Sequence, residues 1–130
     1  MDRIHILIVE DDAAHLLAVS RAIENSGMSA TVTAVTSLKA YREHIAEAIP
    51  DIVIMDLNLP DGRSVEMLTS PAEAGDWPIL LMTGYGNEQV AVEAIKAGAI
   101  DYIVKSPEAF ARLPHTIERA LREWHLLIDR

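Results

Sequence analysis

Residues 50–62, Pro-Asp-Ile-Val-Ile-Met-Asp-Leu-Asn-Leu-Pro-Asp-Gly, decide the fold. Ile52, Val53, Ile54 and Met55 are a continuous apolar run, rich in β-branched side chains and bounded by turn formers. Such a run reads as a strand buried on both faces, as in a parallel sheet. It stops on a carboxylate, Asp56. Pro60-Asp61-Gly62 then turns the chain, because proline fixes φ and glycine adopts conformations that other residues avoid. An acid at the point where a central strand leaves an open α/β sheet lies in the crevice where such sheets bind ligands. Asp56 is therefore the candidate reactive group.

Working outward, Ile4 to Val9 is a second short apolar strand, ending in Glu10, Asp11 and Asp12. Asp12 can cap the helix that follows, whose Leu16, Val19 and Ile23 share one face and which Gly27 can end. Thr31 to Val35 is a β-branched strand. Ser37 caps the next helix, with Leu38, Tyr41 and Ile45 on its inner side, and Pro50 stops it. After the central strand a short helix around Val65 to Leu68 is limited by Pro71 and Gly75. Ile79 to Met82 forms a fourth strand ending at Thr83, and Gly84-Tyr85-Gly86 reads as a mobile loop. Asn87 caps a helix carrying Ala91, Ala94 and Ile95, and Asp101 to Val104 is a fifth strand running into Lys105. Pro114 opens a last helix, with Ile117, Leu121, Trp124 and Ile128 as its apolar stripe. A strand-helix unit repeated in this way, with short connections, predicts a parallel sheet with helices on both faces.

Composition narrows the functions. The chain has 130 residues, 50% hydrophobic and 24% charged, the profile of one globular domain. A formal net charge of −9 with only 11 Lys and Arg argues against direct nucleic-acid binding, which needs clustered cations. No cysteine is present, which removes disulfides, thiolate nucleophiles and Cys-based zinc sites and suits the cytoplasm. The apolar runs are too short to span a bilayer, and no signal-peptide pattern opens the chain. The five histidines show no paired metal-ligand spacing and read as surface or edge residues. Trp77 and Trp124 read as packing residues.

In a parallel sheet all strands end on the same rim, so Glu10, Asp11, Asp12, Asp56, Thr83 and Lys105 are expected to converge. Crowded carboxylates repel, and a hard divalent cation with oxygen ligands relieves that repulsion. A lysine and a hydroxyl alongside supply the cation and the donor that a phosphoryl group needs. The chemistry implied is attack by Asp56 on a phosphoryl donor to form an acyl phosphate.

Four segments carry a family resemblance: Ile-Leu-Ile-Val-Glu-Asp-Asp (6–12), Asp-Ile-Val-Ile-Met-Asp-Leu-Asn-Leu-Pro-Asp-Gly (51–62), Pro-Ile-Leu-Leu-Met-Thr-Gly (78–84) and Gly-Ala-Ile-Asp-Tyr-Ile-Val-Lys (98–105). In this order they resemble the receiver domain of two-component response regulators. The resemblance implies a flavodoxin-like doubly wound (βα)5 sandwich with strand order 2-1-3-4-5. Residues 1–121 would form the receiver, and 122–130 would extend the last helix into a linker or an oligomer contact. Asp56 would accept a phosphoryl group from a phosphohistidine on a sensor histidine kinase or a phosphotransfer protein. Asp11, Asp56 and the main-chain carbonyl of Asn58 would ligate Mg2+ (or Mn2+), with Glu10 acting through a water. Lys105 would pair with the phosphoryl oxygens, Thr83 would bond to them after modification, and Tyr102 would swing inward as Thr83 moves. Gly84 would leave room for the group, and Asn58 and Tyr85 would flank it. The output and homodimer surface would be the face of the fourth helix, fifth strand and fifth helix. Such a chain is a signalling switch rather than an enzyme with an external substrate. With few residues after the fifth strand, it is expected to stand alone or to belong to a larger protein such as a hybrid kinase.

One departure stands out: Ser106 intervenes between Lys105 and Pro107, where the family pattern has proline directly after the lysine. Two other readings of these residues are a non-phosphorylated interaction module on the same fold and an aspartyl-nucleophile phosphatase. The phosphatase reading lacks its Asp-x-Asp, since Asp56-Leu57-Asn58 stands in that place. Tyr85→Ala is expected to change the rate of phosphoryl loss more than the affinity for Mg2+. Following the decay of the phosphorylated chain beside a Mg2+ titration separates the two; unchanged decay contradicts the flanking role.

Overall fold

The structure, a computed structural model, describes residues 3–84 and 88–128, so Tyr85, Gly86 and Asn87 lie outside it. The first half runs β1 (Ile4–Val9), α1 (Ala13–Asn25), β2 (Ala30–Val35), α2 (Leu38–Glu47) and β3 (Ile52–Asp56). A two-strand hairpin follows, β4 (Asn58–Leu59) and β5 (Gly62–Arg63), then the short helices α3 (Ser64–Leu68) and α4 (Pro71–Ala74). The second half is β6 (Ile79–Thr83), α5 (Glu88–Ala97), β7 (Asp101–Val104), α6 (Pro107–Ala111) and α7 (Leu113–Ile128).

Five strands pair in parallel in the order β2-β1-β3-β6-β7, the flavodoxin-like arrangement. The central strands β1, β3 and β6 are covered on both faces, which is why their sequences are apolar without alternation. Successive side chains still point to opposite faces. Leu7, Val9, Val53, Met55 and Leu81 pack under α2, α3 and α5, with Leu38, Tyr41, Met67 and Ala94. Ile6, Ile8, Ile52, Ile54, Leu80 and Met82 pack under α1 and α7, with Val19, Ile23, Leu113, Ile117 and Ala120. The result is a three-layer sandwich whose strands all leave the sheet at one rim.

Two side chains cap the start of α2, and one of them, Asp61, ties it to the turn after β3. Ser37 Oγ accepts from the N–H of Ala40 at 3.0 Å, and the Asp61 carboxylate accepts from the N–H groups of Leu38 and Lys39, both at 2.9 Å. These are N–H groups that an α-helix leaves unpaired at its first turn. The backbone bonds hold the Asp61 carboxyl below its ordinary range. Gly62 has φ +152° on this turn, and a Cβ there would sit 3.0 Å from Leu38 Cδ1. The turn therefore favours glycine on both backbone and packing grounds.

The sequence reading limits the helix around Val65 to Leu68 by Pro71 and Gly75 and assigns no further element there, whereas the structure forms one more helical turn, α4. Ser70 provides its first acceptor, since the N–H groups of Glu73 and Ala74 donate to the Ser70 carbonyl. The buried Tyr41 anchors this turn: its hydroxyl donates to the Glu73 carbonyl at 2.7 Å and accepts from Trp77 Nε1 at 3.3 Å. Burial pushes the Tyr41 hydroxyl up to about 12. A second difference lies after Lys105, where the structure forms a short helix, α6, that the sequence reading does not assign. Ser106 caps α6, accepting from the N–H of Ala109 at 3.1 Å, with Pro107 in the first turn, where a missing N–H costs nothing. α7 begins one residue before Pro114, at Leu113.

Removal of the Asp61 carboxylate tests this linkage between turn and helix. A carboxyl with a depressed folded pKa stabilises fully above its ordinary value, and the effect is lost as pH falls through the folded value. Asp61→Ala is expected to lower Tm at pH 7, with the gap to the native chain closing in acid. A gap that does not depend on pH would contradict the charge-assisted cap.

Candidate functional site

The strand order reverses between β1 and β3, and the rim residues of these two strands are Glu10 and Asp56. This is the topological switch point where doubly wound sheets open a crevice. Backbone bonds just past the strand ends fix the rim. The N–H of Glu10 donates to Val35 O at 3.0 Å, that of Leu57 to Met82 O at 2.8 Å, and that of Lys105 to Thr83 O at 2.8 Å.

Lys105 crosses the rim to the two acids. Its ammonium lies 2.6 Å from Glu10 Oε1 and 3.1 Å from Asp56 Oδ2. Glu10 is fully buried, and the Lys105 and Asp56 side chains are 9% and 11% exposed. Burial raises the Glu10 carboxyl above its ordinary range, and the neighbouring Asp56 carboxylate adds to the rise, outweighing the opposing pull of Lys105. Burial acts to lower the Lys105 ammonium, but the two carboxylates overcome it, so Lys105 is raised and remains charged. The three groups behave as one buried charge cluster, with two acids sharing one base.

Asp11 stands exposed at the mouth. One oxygen from each of Glu10, Asp11 and Asp56 lies within 4.8 Å of the others. These are hard oxygen donors of the type a small divalent cation prefers. Glu10 Oε1 reinforces the fit: it is buried and, among the described residues, has no well-directed hydrogen bond, although the Lys105 ammonium is close. Asp12 faces another way, capping α1 by accepting from the N–H of His15 at 3.0 Å. Backbone hydrogen bonding lowers its carboxyl.

The structure brings Glu10, Asp11, Asp56 and Lys105 into direct proximity. Thr83 is buried at the same rim, one residue beyond the Asp56↔Met82 pair, with its hydroxyl donating to the Gly84 carbonyl at 2.7 Å. A Cβ at Gly84 would meet nothing within 4 Å. Asn58 begins the hairpin and is exposed. Tyr102 lies on β7 and is 38% exposed. Tyr85 lies outside the described residues.

Two residues at the site have no role in the sequence reading. His15 reads there as a surface histidine, yet its Nδ1 is 3.2 Å from Lys105 Nζ and 3.4 Å from Glu10 Oε1. Its position three residues after the helix cap, on the turn nearest the rim, is the signal that could have shown it. Ser64, fully buried, donates through its hydroxyl to the main-chain carbonyl of Asp56. A lone serine after a Gly-Arg turn carries no comparable signal.

Fold and rim together define a doubly wound domain with an acidic cation-type site and a lysine at its switch point. The chain belongs to the response regulator receiver domain family, whose sequence pattern matches residues 6–118. It is 35% identical over 130 residues to the methanogenesis regulatory protein FilR1 of Methanothrix harundinacea, a match covering 96% of this chain and 29% of that protein. The chain spans less than two thirds of the length of the curated relatives it matches. Among solved structures, the CheY-like receiver domain protein of Methanospirillum hungatei superposes with a TM-score of 0.79 at 26% identity, over 95% of this chain and 98% of that one. The beryllofluoride-activated NtrC4 receiver domain dimer does so with a TM-score of 0.78 at 28% identity, over 92% and 98%. Among the described residues no helix is long and apolar enough to cross a membrane.

Removing the lysine charge should expose the cost of the buried acids. In metal-free solution at pH 8, Lys105→Met is expected to lose about 3–5 kcal/mol of unfolding free energy, as when one partner of a buried ion pair is deleted. The loss should shrink toward pH 5 as Glu10, already raised, takes up a proton. Urea denaturation at the two pH values checks this, and equal stability of native and variant would contradict it.

Proposed function

We propose that the chain is a phosphorylation-dependent signalling switch in which Asp56 is the phosphoacceptor. A carboxylate oxygen of Asp56 attacks the phosphorus of a phosphohistidine on a sensor kinase or phosphotransfer protein. The phosphorus–nitrogen bond breaks, the new oxygen–phosphorus bond forms an acyl phosphate, and the donor histidine leaves as imidazole. The observation that carries this reading is the Lys105 ammonium lying between Glu10 and Asp56 beside Asp11. It provides a nucleophilic carboxylate, a cation for phosphoryl oxygens and an oxygen-donor set at one point.

Glu10, Asp11, Asp56 and the main-chain carbonyl of Asn58 would hold Mg2+ or Mn2+, Glu10 through a water. The bound cation supplies charge neutralisation for the transferring phosphoryl oxygens. Lys105 stays near Asp56 and meets the phosphoryl group from the other side. The Thr83 hydroxyl would exchange the Gly84 carbonyl for a phosphoryl oxygen, and Tyr102 would follow it inward. Asn58, Gly84 and Tyr85 would flank the group and govern the approach of water. The change is a population shift between two arrangements of this rim, driven by the added negative charge.

The receiver unit would comprise residues 1–121. Its output face is formed by α5, β7 and α7, where exposed Val92, Ile95, Tyr102 and Val104 support a docking or homodimer role. The NtrC4 receiver is a dimer in its beryllofluoride-activated form, which favours the same mode here. Residues 122–130 would serve as a linker or oligomer contact, a reading supported by exposed Leu126, Leu127 and Ile128 on the last turn of α7. The protein would act in the cytoplasm without touching nucleic acid or membrane itself.

Intact mass after incubation with acetyl phosphate tests the reading, on native chain and Asp56→Asn, with and without Mg2+. One base-labile phosphoryl adduct that needs Mg2+ and is absent from the variant is expected. A folded native chain that takes up no phosphoryl group would contradict it.

A further inference from the structure

Ser64 opens α3 and is completely buried. Its hydroxyl donates to the main-chain carbonyl of Asp56, and its N–H donates to the carbonyl of Leu57 at 3.0 Å. Between these bonds the chain makes the β4–β5 hairpin, pairing Asn58 with Arg63 and Leu59 with Gly62. The register of β3 with β1 ends at Met55, one residue before Asp56. The Asp56 carbonyl therefore lies past the end of that ladder, and a carbonyl in a buried setting needs a donor. The Ser64 hydroxyl is that donor.

We propose that Ser64 is a positioning residue for phosphoryl transfer at Asp56, an inference that rests on the receiver reading above. The hydroxyl fixes the peptide plane between Asp56 and Leu57, from which the Asp56 side chain departs and after which the backbone turns toward Asn58. One bond thereby orients the nucleophilic carboxylate and closes the loop carrying the Asn58 carbonyl. Neither Lys105 nor Glu10 can perform this task, because both act on the carboxylate end of the side chain. Small displacements of a reacting group are costly to a transfer that depends on alignment, on the order of 100-fold per ångström.

The test compares native chain, Ser64→Ala and Ser64→Thr, each checked for folding by circular dichroism. The rate of Asp56 phosphorylation by acetyl phosphate is measured at saturating Mg2+, beside a separate Mg2+ titration. Ser64→Ala is expected to fold and to react roughly tenfold more slowly even with the cation saturating. Ser64→Thr, which keeps the donor, should recover most of the native rate. A folded Ser64→Ala at the native rate overturns the proposal, as does a folded Ser64→Thr as slow as Ser64→Ala. Should Ser64→Ala not fold, Ser64→Cys keeps the volume with only a weak donor: a slowed rate supports the role and a native rate overturns it. A native chain that takes up no phosphoryl group defeats the receiver reading itself, and this inference with it.

Discussion

The Lys105 ammonium between Glu10 and Asp56 is the interaction on which the rest of the site depends. Two carboxylates placed this close, one fully buried, repel each other and lose hydration. At an effective dielectric of about 20, unit charges about 4 Å apart interact by about 4 kcal/mol before desolvation is counted. One lysine cannot neutralise two acids. The cluster is therefore left short of positive charge, which Asp11 at the mouth increases. A site with that imbalance has an intrinsic attraction for a small cation, and it responds strongly when a further negative group is added.

Parallel topology makes the cluster affordable. Each charged residue follows a strand whose apolar side chains are committed to the two cores, and the ladder bonds continue just past the strand ends to hold Glu10, Leu57 and Lys105 in place. Helix and turn then support the acid from below. Asp61 ties the turn after β3 to α2, and Ser64 ties the start of α3 to the backbone of Asp56. The phosphoacceptor candidate thus sits between a sheet edge and a closed hairpin.

Much of this was legible in the sequence because buried parallel strands are apolar throughout and end abruptly on polar residues. The strand ends at Val9, Asp56, Thr83 and Val104 could be read from that contrast alone, and with them the rim. Elements fixed by tertiary bonds were less visible. The α4 turn depends on Tyr41 and Trp77, which are distant in sequence. The α6 turn depends on Ser106 acting as a cap at the position where the family pattern has proline. His15 and Ser64 carry no motif, and their relation to Lys105 and Asp56 emerges only when strand ends and helix starts are brought together.

The most direct test of the charge cluster is the NMR titration of Lys105 in metal-free protein, followed at its side-chain carbon next to the ammonium. The account predicts a pKa above the ordinary lysine value of 10.5, falling when Glu10 is replaced in Glu10→Gln. A Lys105 that titrates at or below that ordinary value, or that is unmoved by Glu10→Gln, would contradict the shared buried charge from which the site's chemistry is argued.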